Sequence, residues 1–472
     1  MSKSKFKPYL IPGLEVINAG SEGQSIARHN EKVIMVEKAV PGDIIDAWVW
    51  ASKRKVSFAS VKAIVKASPD RVETFCEHFK TCGGCKWQQM AYSSQLKFKA
   101  QQVRDAFERI GKFDFAAPDP ILGASPITHY RNKLEYTFTN RRWLDDLNTK
   151  DNLSVAEHSG LGYHIPGRFD KVFDVNTCHL MDDIHNGVRN RIKEFAIGNG
   201  YDFYDQWSKK GLLRNLIFRK SSSGEFMLIL VFGRNDESAI QTMLEFIKDE
   251  FPALNTLLYT INTKLNDTIH DLEIIIYSGK GFITEKMNDL SFSIGPKSFF
   301  QTNSKQALVL YERALHFAGL TGNEIVYDLY SGVGTISLFV APHASKVVGI
   351  EFVEGAVKDA NANAKLNGIE NVFFRAGDTK DVFDKELIHV HGHPDVVITD
   401  PPRAGMHEKV IKQLLMVKPK KIVYVSCNPA TQARDIALLA DDYSVSKVQP
   451  VDMFPHTHHV ENIVLLVLKE QN

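Results

Sequence analysis

The sequence predicts a multidomain α/β protein: an N-terminal OB-type β-barrel, an α+β central region and a C-terminal Rossmann-like domain. Three observations carry this. Residues 8 to 66 hold about five short β-branched or aromatic runs punctuated by glycine and proline. Residues 130 to 290 alternate strand-like runs with polar loops. From about 295 onward, apolar strands alternate with helical stretches, the pattern of a parallel doubly wound sheet. The 472 residues suit about three domains at ~150 residues each, and we place them at 1–68, 69–294 and 295–472.

In chain order, VIMV, DIIDAWVW and VSFASVKAIV read as barrel strands, with turns at Gly13, Gly20, Gly23 and Pro41-Gly42. Residues 93–112 predict a helix, because Leu96, Val103 and Phe107 share one face and Gly111 ends the run. KLEYTFTN, LLRNLIFRK, EFMLILVFG and LEIIIYSG predict an antiparallel sheet with a few helices. Next come the strands EIVYDLY, KVVGIE, VFFRAGD, DVVITD, KIVYVSC, YSVSKVQPVDMF and NIVLLVLK. PHTHHVE joins the last two and is too short for a crossover helix, so that pair should be antiparallel.

Composition narrows the function classes. Hydrophobic residues make up 44% and charged residues 24%, which excludes a chain that is disordered overall. The net charge of +1 argues against a protein basic throughout, although residues 1–66 hold eleven Lys/Arg against six Asp/Glu. No apolar run approaches a membrane span, and MSKSKFKPYL has no signal-peptide core, so a cytoplasmic protein without membrane contact is expected. Nothing in the sequence demands an obligate protein partner.

Four motifs point to chemistry in the last domain. DLYSGVGTISL puts Gly332 and Gly334 between a strand and a helix, and Glu351 ends the next strand nineteen residues after Gly332. That is where such sheets place an acid for ribose hydroxyls. The motif lacks the third glycine of a dinucleotide site and the Lys of a phosphate loop, so an adenosyl ligand without phosphates fits better, namely S-adenosylmethionine. DVVITDPPRAG ends a strand at Asp400, on the ligand-binding edge. KIVYVSCNP ends the next at Cys427, a candidate nucleophile rather than a core thiol because Asn428 and Pro429 follow at once. In HTHHVEN, Glu461 precedes the final strand and is a candidate general base. Its three histidines complete no recognised metal spacing.

The five cysteines do not make a disulfide framework. Cys76, Cys82 and Cys85 form C-x5-C-x2-C, a spacing suited to wrapping a metal centre. With Cys427 set aside, Cys178 is the fourth ligand by count. A four-cysteine zinc site and a [4Fe–4S] cluster both satisfy that set.

Taken together, these residues resemble the RNA uracil-5-methyltransferases that use S-adenosylmethionine, and within them the iron–sulfur branch that acts on 23S ribosomal RNA. EGQSIAR and AVPGD resemble a TRAM barrel. SFFQTN, DLYSGVGTISL, GIE, DPPRAG, VSCNP and HVEN follow in the family's order. The resemblance covers nearly the whole chain. It implies that residues 1–68 are a TRAM-like RNA-binding barrel, and that 69–294 carry a [4Fe–4S] cluster on Cys76, Cys82, Cys85 and Cys178. Residues 295–472 would be the methyltransferase domain. It further implies that Gln301, Tyr330, Glu351 and Asp400 hold the cofactor, that Cys427 is the nucleophile and Glu461 the base, and that Phe299 or Phe300 stacks on the target base. Some relatives carry Cys and Asn where Ser331 and Thr335 stand here.

The chemistry supports the same assignment. Carbon 5 of uracil is a poor nucleophile until a thiolate adds at C6. A base must then remove the C5 proton, and the nucleotide must be flipped out of its stack. Alternatives with distinct signatures are a transfer RNA uridine-5-methyltransferase, which shares the motifs, and an amino-group methyltransferase suggested by DPPR, which needs no cysteine. A non-catalytic RNA-binding metalloprotein would bind no S-adenosylmethionine, and a radical methylthiotransferase is disfavoured by the cysteine spacing.

Overall fold

The computed structural model describes residues 6–144 and 154–470. They form two compact units that are not consecutive stretches of chain. The first comprises Met1–Phe79, Gly84–Ile127 and Pro401–Asn472, the second Lys80–Gly83 and Thr128–Asp400.

The first unit opens with a closed five-stranded barrel, β1 (Tyr9–Ala19), β2 (Ser25–His29), β3 (Lys32–Glu37), β4 (Ile44–Lys53) and β5 (Val56–Lys66). Its interior is narrow and is filled by alternate, mostly small or β-branched residues such as Ala27, Val36, Ala47, Val49 and Ala59. Closure needs a sharp bend in the long β1. Its register against β4 shifts between Ile11 and Leu14, where Gly13 adopts φ 63°. Helix α1 (Tyr92–Ala106) follows, and a π-helical turn, Phe107–Gly111, continues it. The helix expected over 93–112 is thus present but changes winding at its end, and Lys112 closes it in the left-handed region at φ 55°.

The second unit is built on a seven-stranded sheet of β6 (Lys133–Thr139), β7 (Gly160–Ile165), β8 (Arg168–Asp174), β9 (Leu213–Lys220), β10 (Phe226–Phe232), β11 (Thr256–Ile261) and β12 (Ile275–Gly279). The sheet is not wholly antiparallel as expected, because β10 and β11 pair in parallel. The reason is the amphipathic helix Glu237–Glu250, which buries Ile240, Met243, Leu244 and Ile247 and returns the chain to the same sheet end. A hairpin, β13 (Ile283–Met287) and β14 (Leu290–Ile294), and the helix Ser304–Ala318 come next. Four strands then pair in parallel in the order β17-β16-β15-β18, these being β15 (Ile325–Leu329), β16 (Lys346–Glu351), β17 (Val372–Ala376) and β18 (Val396–Thr399). Their near-continuous buried apolar runs suit a parallel arrangement covered on both faces.

The chain returns to the first unit with β19 (Lys421–Ser426), β20 (Tyr443–Val451) and β21 (Glu461–Leu468). β21 lies between the other two and is antiparallel to both, so the last pair is antiparallel as its short connection requires. Among the described residues no helix is long and apolar enough to cross a membrane.

Candidate active site

The strand-to-helix turn of the second unit gathers one set of predicted side chains. Tyr330 leaves β15 with φ 70°, and Gly332 and Gly334 follow at φ 56° and 81°. A Cβ on Gly332 would meet nothing within 4 Å, so the turn opens onto free space, and it is the left-handed backbone that calls for glycine. Glu351, at the end of β16, pins this turn. One carboxylate oxygen accepts the Gly332 N–H at 3.0 Å, and the other accepts the Val353 N–H at 2.8 Å. Phe352 beside it is 70% exposed, an apolar surface next to this carboxylate.

Beneath the turn, Asp328 is fully buried and accepts the Ser337 hydroxyl at 2.6 Å. Burial, together with the Asp400 and Glu351 charges, pushes its carboxyl up to about 7 despite that hydrogen bond. Asp400, the residue after β18, is pushed up to about 7 by burial. Three buried polar atoms at this edge have no protein partner: Asp328 Oδ1, Ser331 Oγ and Thr399 Oγ1. Orphaned groups beside an open glycine turn and a carboxylate at a strand end fit a polar, adenosyl-bearing molecule such as S-adenosylmethionine.

Gln301 lies in the same unit on the segment before the helix Ser304–Ala318. Its carbonyl accepts the Asn132 amide at 2.9 Å, and Asn303 caps the helix by accepting the Gln306 N–H at 3.2 Å. The two adjacent phenylalanines separate here: Phe300 is buried against Phe292, whereas Phe299 is 70% exposed.

The first unit holds the second set. β19 ends at Ser426, and Cys427 begins the turn into the helix Pro429–Leu439. Asn428 caps that helix by accepting the Ala430 N–H at 3.1 Å, and its amide donates to the Arg403 carbonyl at 3.2 Å. The Thr431 hydroxyl donates to the same carbonyl, so the segment after DPP is tied to the cysteine turn. Glu461 is buried at the start of β21. The ladder pairs Ser426 with Asn462, so the next position on each strand is Cys427 on one and Glu461 on the other.

A cleft of about 620 Å³ opens over Cys427. Arg403, His458 and His459 line it, with the β1–β2 turn of the barrel on one side and Gln102 and Arg109 on another. Such a volume exceeds a single pyrimidine ring and falls in the ~300–1,000 Å³ class of ligand clefts. His458 is held neutral, its imidazole pushed down to about 3 by burial and by neighbouring positive groups including Lys86 and Arg403.

The loop that leads to Glu461 is gripped by α1. Lys99, fully buried, donates to Asp452 at 2.6 Å and to the Phe454 carbonyl at 3.0 Å. The Tyr92 hydroxyl reaches the other Asp452 oxygen at 2.8 Å, and Gln95 accepts the His456 N–H at 2.8 Å. Sequence reasoning missed this group and the role of Arg403. A signal for Lys99 exists: it falls on the apolar face defined by Leu96 and Val103, where a lysine must find a partner.

None of the five cysteines is in a disulfide. Cys82 and Cys178 belong to the second unit, Cys76 and Cys85 to the first. Tyr163 donates to Cys178 Sγ at 3.9 Å, and both Cys178 and Cys82 bear on its phenol, which is held well above its usual range chiefly by burial. Among the described residues, however, no three His, Cys, Asp or Glu side chains form a group able to hold a metal ion. The fit to a cluster is therefore limited to the shared neighbour of Cys82 and Cys178.

Known proteins carry the same organisation. The family model described as tRNA (uracil-5-)-methyltransferase matches residues 278–469. An uncharacterized RNA methyltransferase of Bacteroides thetaiotaomicron is 49% identical over 95% of this chain and 100% of its own. One of Porphyromonas gingivalis is 50% identical over 96% of this chain and 99% of its own. Among solved structures, the Pyrococcus abyssi tRNA (uracil-54, C5)-methyltransferase in complex with S-adenosyl-L-homocysteine superposes with a TM-score of 0.74 at 28% identity, over 96% of this chain and 100% of that one. With these full-length relatives, the chain belongs to a family of RNA methyltransferases, and its residues 278–469 are similar to the tRNA (uracil-5-)-methyltransferase model.

Proposed function

We propose that this protein methylates carbon 5 of one uridine in RNA, with 23S ribosomal RNA as its substrate, in the cytoplasm. The observation that carries the mechanism is the ladder register: Ser426 faces Asn462, and the adjoining positions are a thiol and a buried carboxylate. S-adenosylmethionine, when bound, supplies an electrophilic methyl group on a sulfonium. Gln301, Tyr330, Glu351 and Asp400 are the residues we assign to hold it. Glu351 retains lone pairs for ribose hydroxyls after accepting its two backbone N–H groups.

Cys427, as thiolate, adds to C6 of the flipped base, forming the C6–S bond and moving the pyrimidine's electrons onto C5 and O4. C5 thereby becomes nucleophilic enough to take the sulfonium's methyl group, the C5–CH3 bond forming as the methyl–sulfur bond would break and leave its electron pair on a neutral thioether sulfur. Glu461 then removes the C5 proton, the C6–S bond breaks, and the thiolate and the aromatic ring are restored. Neutral His458 and the Arg403 segment line the cleft around the base.

The Pyrococcus relative favours a second reading, in which the substrate is transfer RNA. The two separate in one experiment. Labelled S-adenosylmethionine is incubated with 23S fragments and with transfer RNA in parallel, and the nucleosides are analysed. 5-Methyluridine from 23S RNA alone supports the proposal; from transfer RNA alone it supports the second reading.

We also propose that Cys76, Cys82, Cys85 and Cys178 bind a [4Fe–4S] cluster in a structural role. The C-x5-C-x2-C spacing and the shared Tyr163 neighbour support it. Iron and acid-labile sulfide in anaerobically purified protein, both lost in Cys178→Ser, are the expected result. Zinc in their place would overturn it.

A further inference from the structure

The segment that carries Phe299 and Gln301 is held through its backbone at both ends, within the second unit. At one end the Ser298 carbonyl accepts the Arg219 guanidinium at 2.7 Å, and the Ser298 hydroxyl donates to Asp359 at 2.8 Å. At the other end Asn132 makes three bonds. Its backbone N–H donates to the Thr302 carbonyl at 2.9 Å. Its side-chain amide donates to the Gln301 carbonyl at 2.9 Å and to the Ser304 hydroxyl at 2.8 Å. The Gln301 side chain itself makes no hydrogen bond among the described residues.

Asn132 is itself rigidly placed. It directly precedes β6, whose first residue Lys133 pairs with Arg219 on β9, and its carbonyl accepts the Lys220 N–H at 2.8 Å. The two groups that grip the segment therefore come from neighbouring ends of paired strands. Ser304 passes the restraint on. Its hydroxyl donates to Glu285 on β13 at 3.0 Å, and the other Glu285 oxygen accepts the Ser222 N–H at 3.1 Å. Both Asn132 amide protons are thus used, one on a carbonyl and one on a hydroxyl whose own proton goes to a carboxylate. Only one amide orientation satisfies that set. Glu285 is 2% exposed, and burying a carboxylate costs free energy that apolar packing would avoid. Packing does not fix the segment from within either, because Phe299 is exposed and Gln301 only half-buried.

We infer that Asn132 is a positioning residue for cofactor binding: it fixes the main chain at Gln301, with Ser304 and Glu285 holding its amide in one orientation. A segment ordered before the ligand arrives loses less freedom on binding, which raises affinity without adding a contact. Asn132 touches no cofactor atom in this scheme and acts only through Gln301. The inference rests on the reading that Gln301 holds S-adenosylmethionine.

The test is calorimetric titration of the full chain with S-adenosylmethionine, without RNA, beside thermal melts of the ligand-free protein. Asn132→Ala and Gln301→Ala should each weaken binding roughly three- to tenfold. The double variant should bind no worse than Gln301→Ala, because the two residues act in series. Asn132→Asp, which sets a carboxylate oxygen against the Gln301 carbonyl, should lose at least as much as Asn132→Ala. Ser304→Thr keeps the hydroxyl and should bind like wild type, whereas Ser304→Ala should lose part of the affinity. Where Asn132→Ala fails to fold, the two Ser304 variants carry the same comparison with Gln301→Ala. A lower melting temperature in Asn132→Ala with unchanged affinity makes the residue merely structural and overturns the inference. So does a double variant in which the two losses multiply. Loss of binding in Gln301→Ala with none in Asn132→Ala removes the positioning role alone. Wild-type binding by Gln301→Ala removes Gln301 from the cofactor site, and the inference with it.

Discussion

Glu461 opens β21 one residue before Asn462, whose ladder partner Ser426 ends β19 and is followed at once by Cys427. The opposite edge of β21 pairs Glu461 with Val451, so the carboxylate sits on a strand held from both sides. Cys427→Ala should abolish both turnover and the covalent adduct formed with 5-fluorouridine RNA, seen as a shifted band on a denaturing gel. Glu461→Gln should still form the adduct with normal RNA but release it slowly, with kcat lowered by ~10²–10⁴. Adduct formation by Cys427→Ala would reassign the nucleophile.

The Lys99–Asp452 pair predicts a coupled loss of stability and activity. Both side chains are fully buried, and burial pulls the Lys99 ammonium below its usual range while Asp452 opposes that shift. Lys99→Met leaves a buried carboxylate without its cation and should cost about 3–5 kcal/mol. Because Asp452 anchors the loop leading to His458 and Glu461, kcat should fall as well. Replacing both residues with apolar ones should recover stability but not kcat. Thermal melts and single-turnover kinetics of the two variants check this.

Cofactor affinity should depend on pH through Asp400. Burial holds its carboxyl at about 7, so near pH 6 it is mostly protonated and poor at binding a cation or accepting hydroxyl hydrogen bonds. Titration calorimetry with S-adenosylmethionine should show affinity rising from pH 6 to pH 8 and levelling above, a change approaching tenfold. Asp400→Asn should bind weakly with no such slope.

Asp328 makes a stability prediction of defined sign. Its folded carboxyl sits at about 7 against an ordinary value of 3.8. The folded state therefore holds the proton more tightly, and this contribution is complete below about pH 4 and lost as pH rises through 7. The gap corresponds to at most about 4 kcal/mol. Relative to Asp328→Asn, the wild type should lose melting temperature between pH 5 and pH 8. An equal pH dependence in both proteins would show that the buried carboxylate has a compensating partner.

The strand ends at Glu351, Asp400 and Cys427 were legible because apolar runs stop abruptly there, where α/β sheets bind ligands, and the position of Glu461 because an apolar run starts just after it. The barrel was legible from its turn residues. The parallel β10–β11 pair was not, because it depends on reading residues 237–250 as one amphipathic helix within a region dominated by strand signals. The π-helical turn after α1 was hidden too: Gly111 marks a stop but not a change of winding. The grip of Tyr92, Gln95 and Lys99 on residues 452–456 joins positions more than 350 apart, which no local pattern encodes. The same holds for Phe299 and Phe300, identical in type and separated only by which ring meets Phe292.

Tritium release tests the central claim most directly. The protein, purified anaerobically, is mixed with S-adenosylmethionine and RNA transcribed with [5-³H]uridine. Release that requires both the cofactor and Cys427 is the predicted result, since only methylation at carbon 5 expels that hydrogen in proportion to methyl transferred. Methyl transfer without tritium release would contradict the account, moving the chemistry to another atom and leaving Cys427 and Glu461 without their assigned roles.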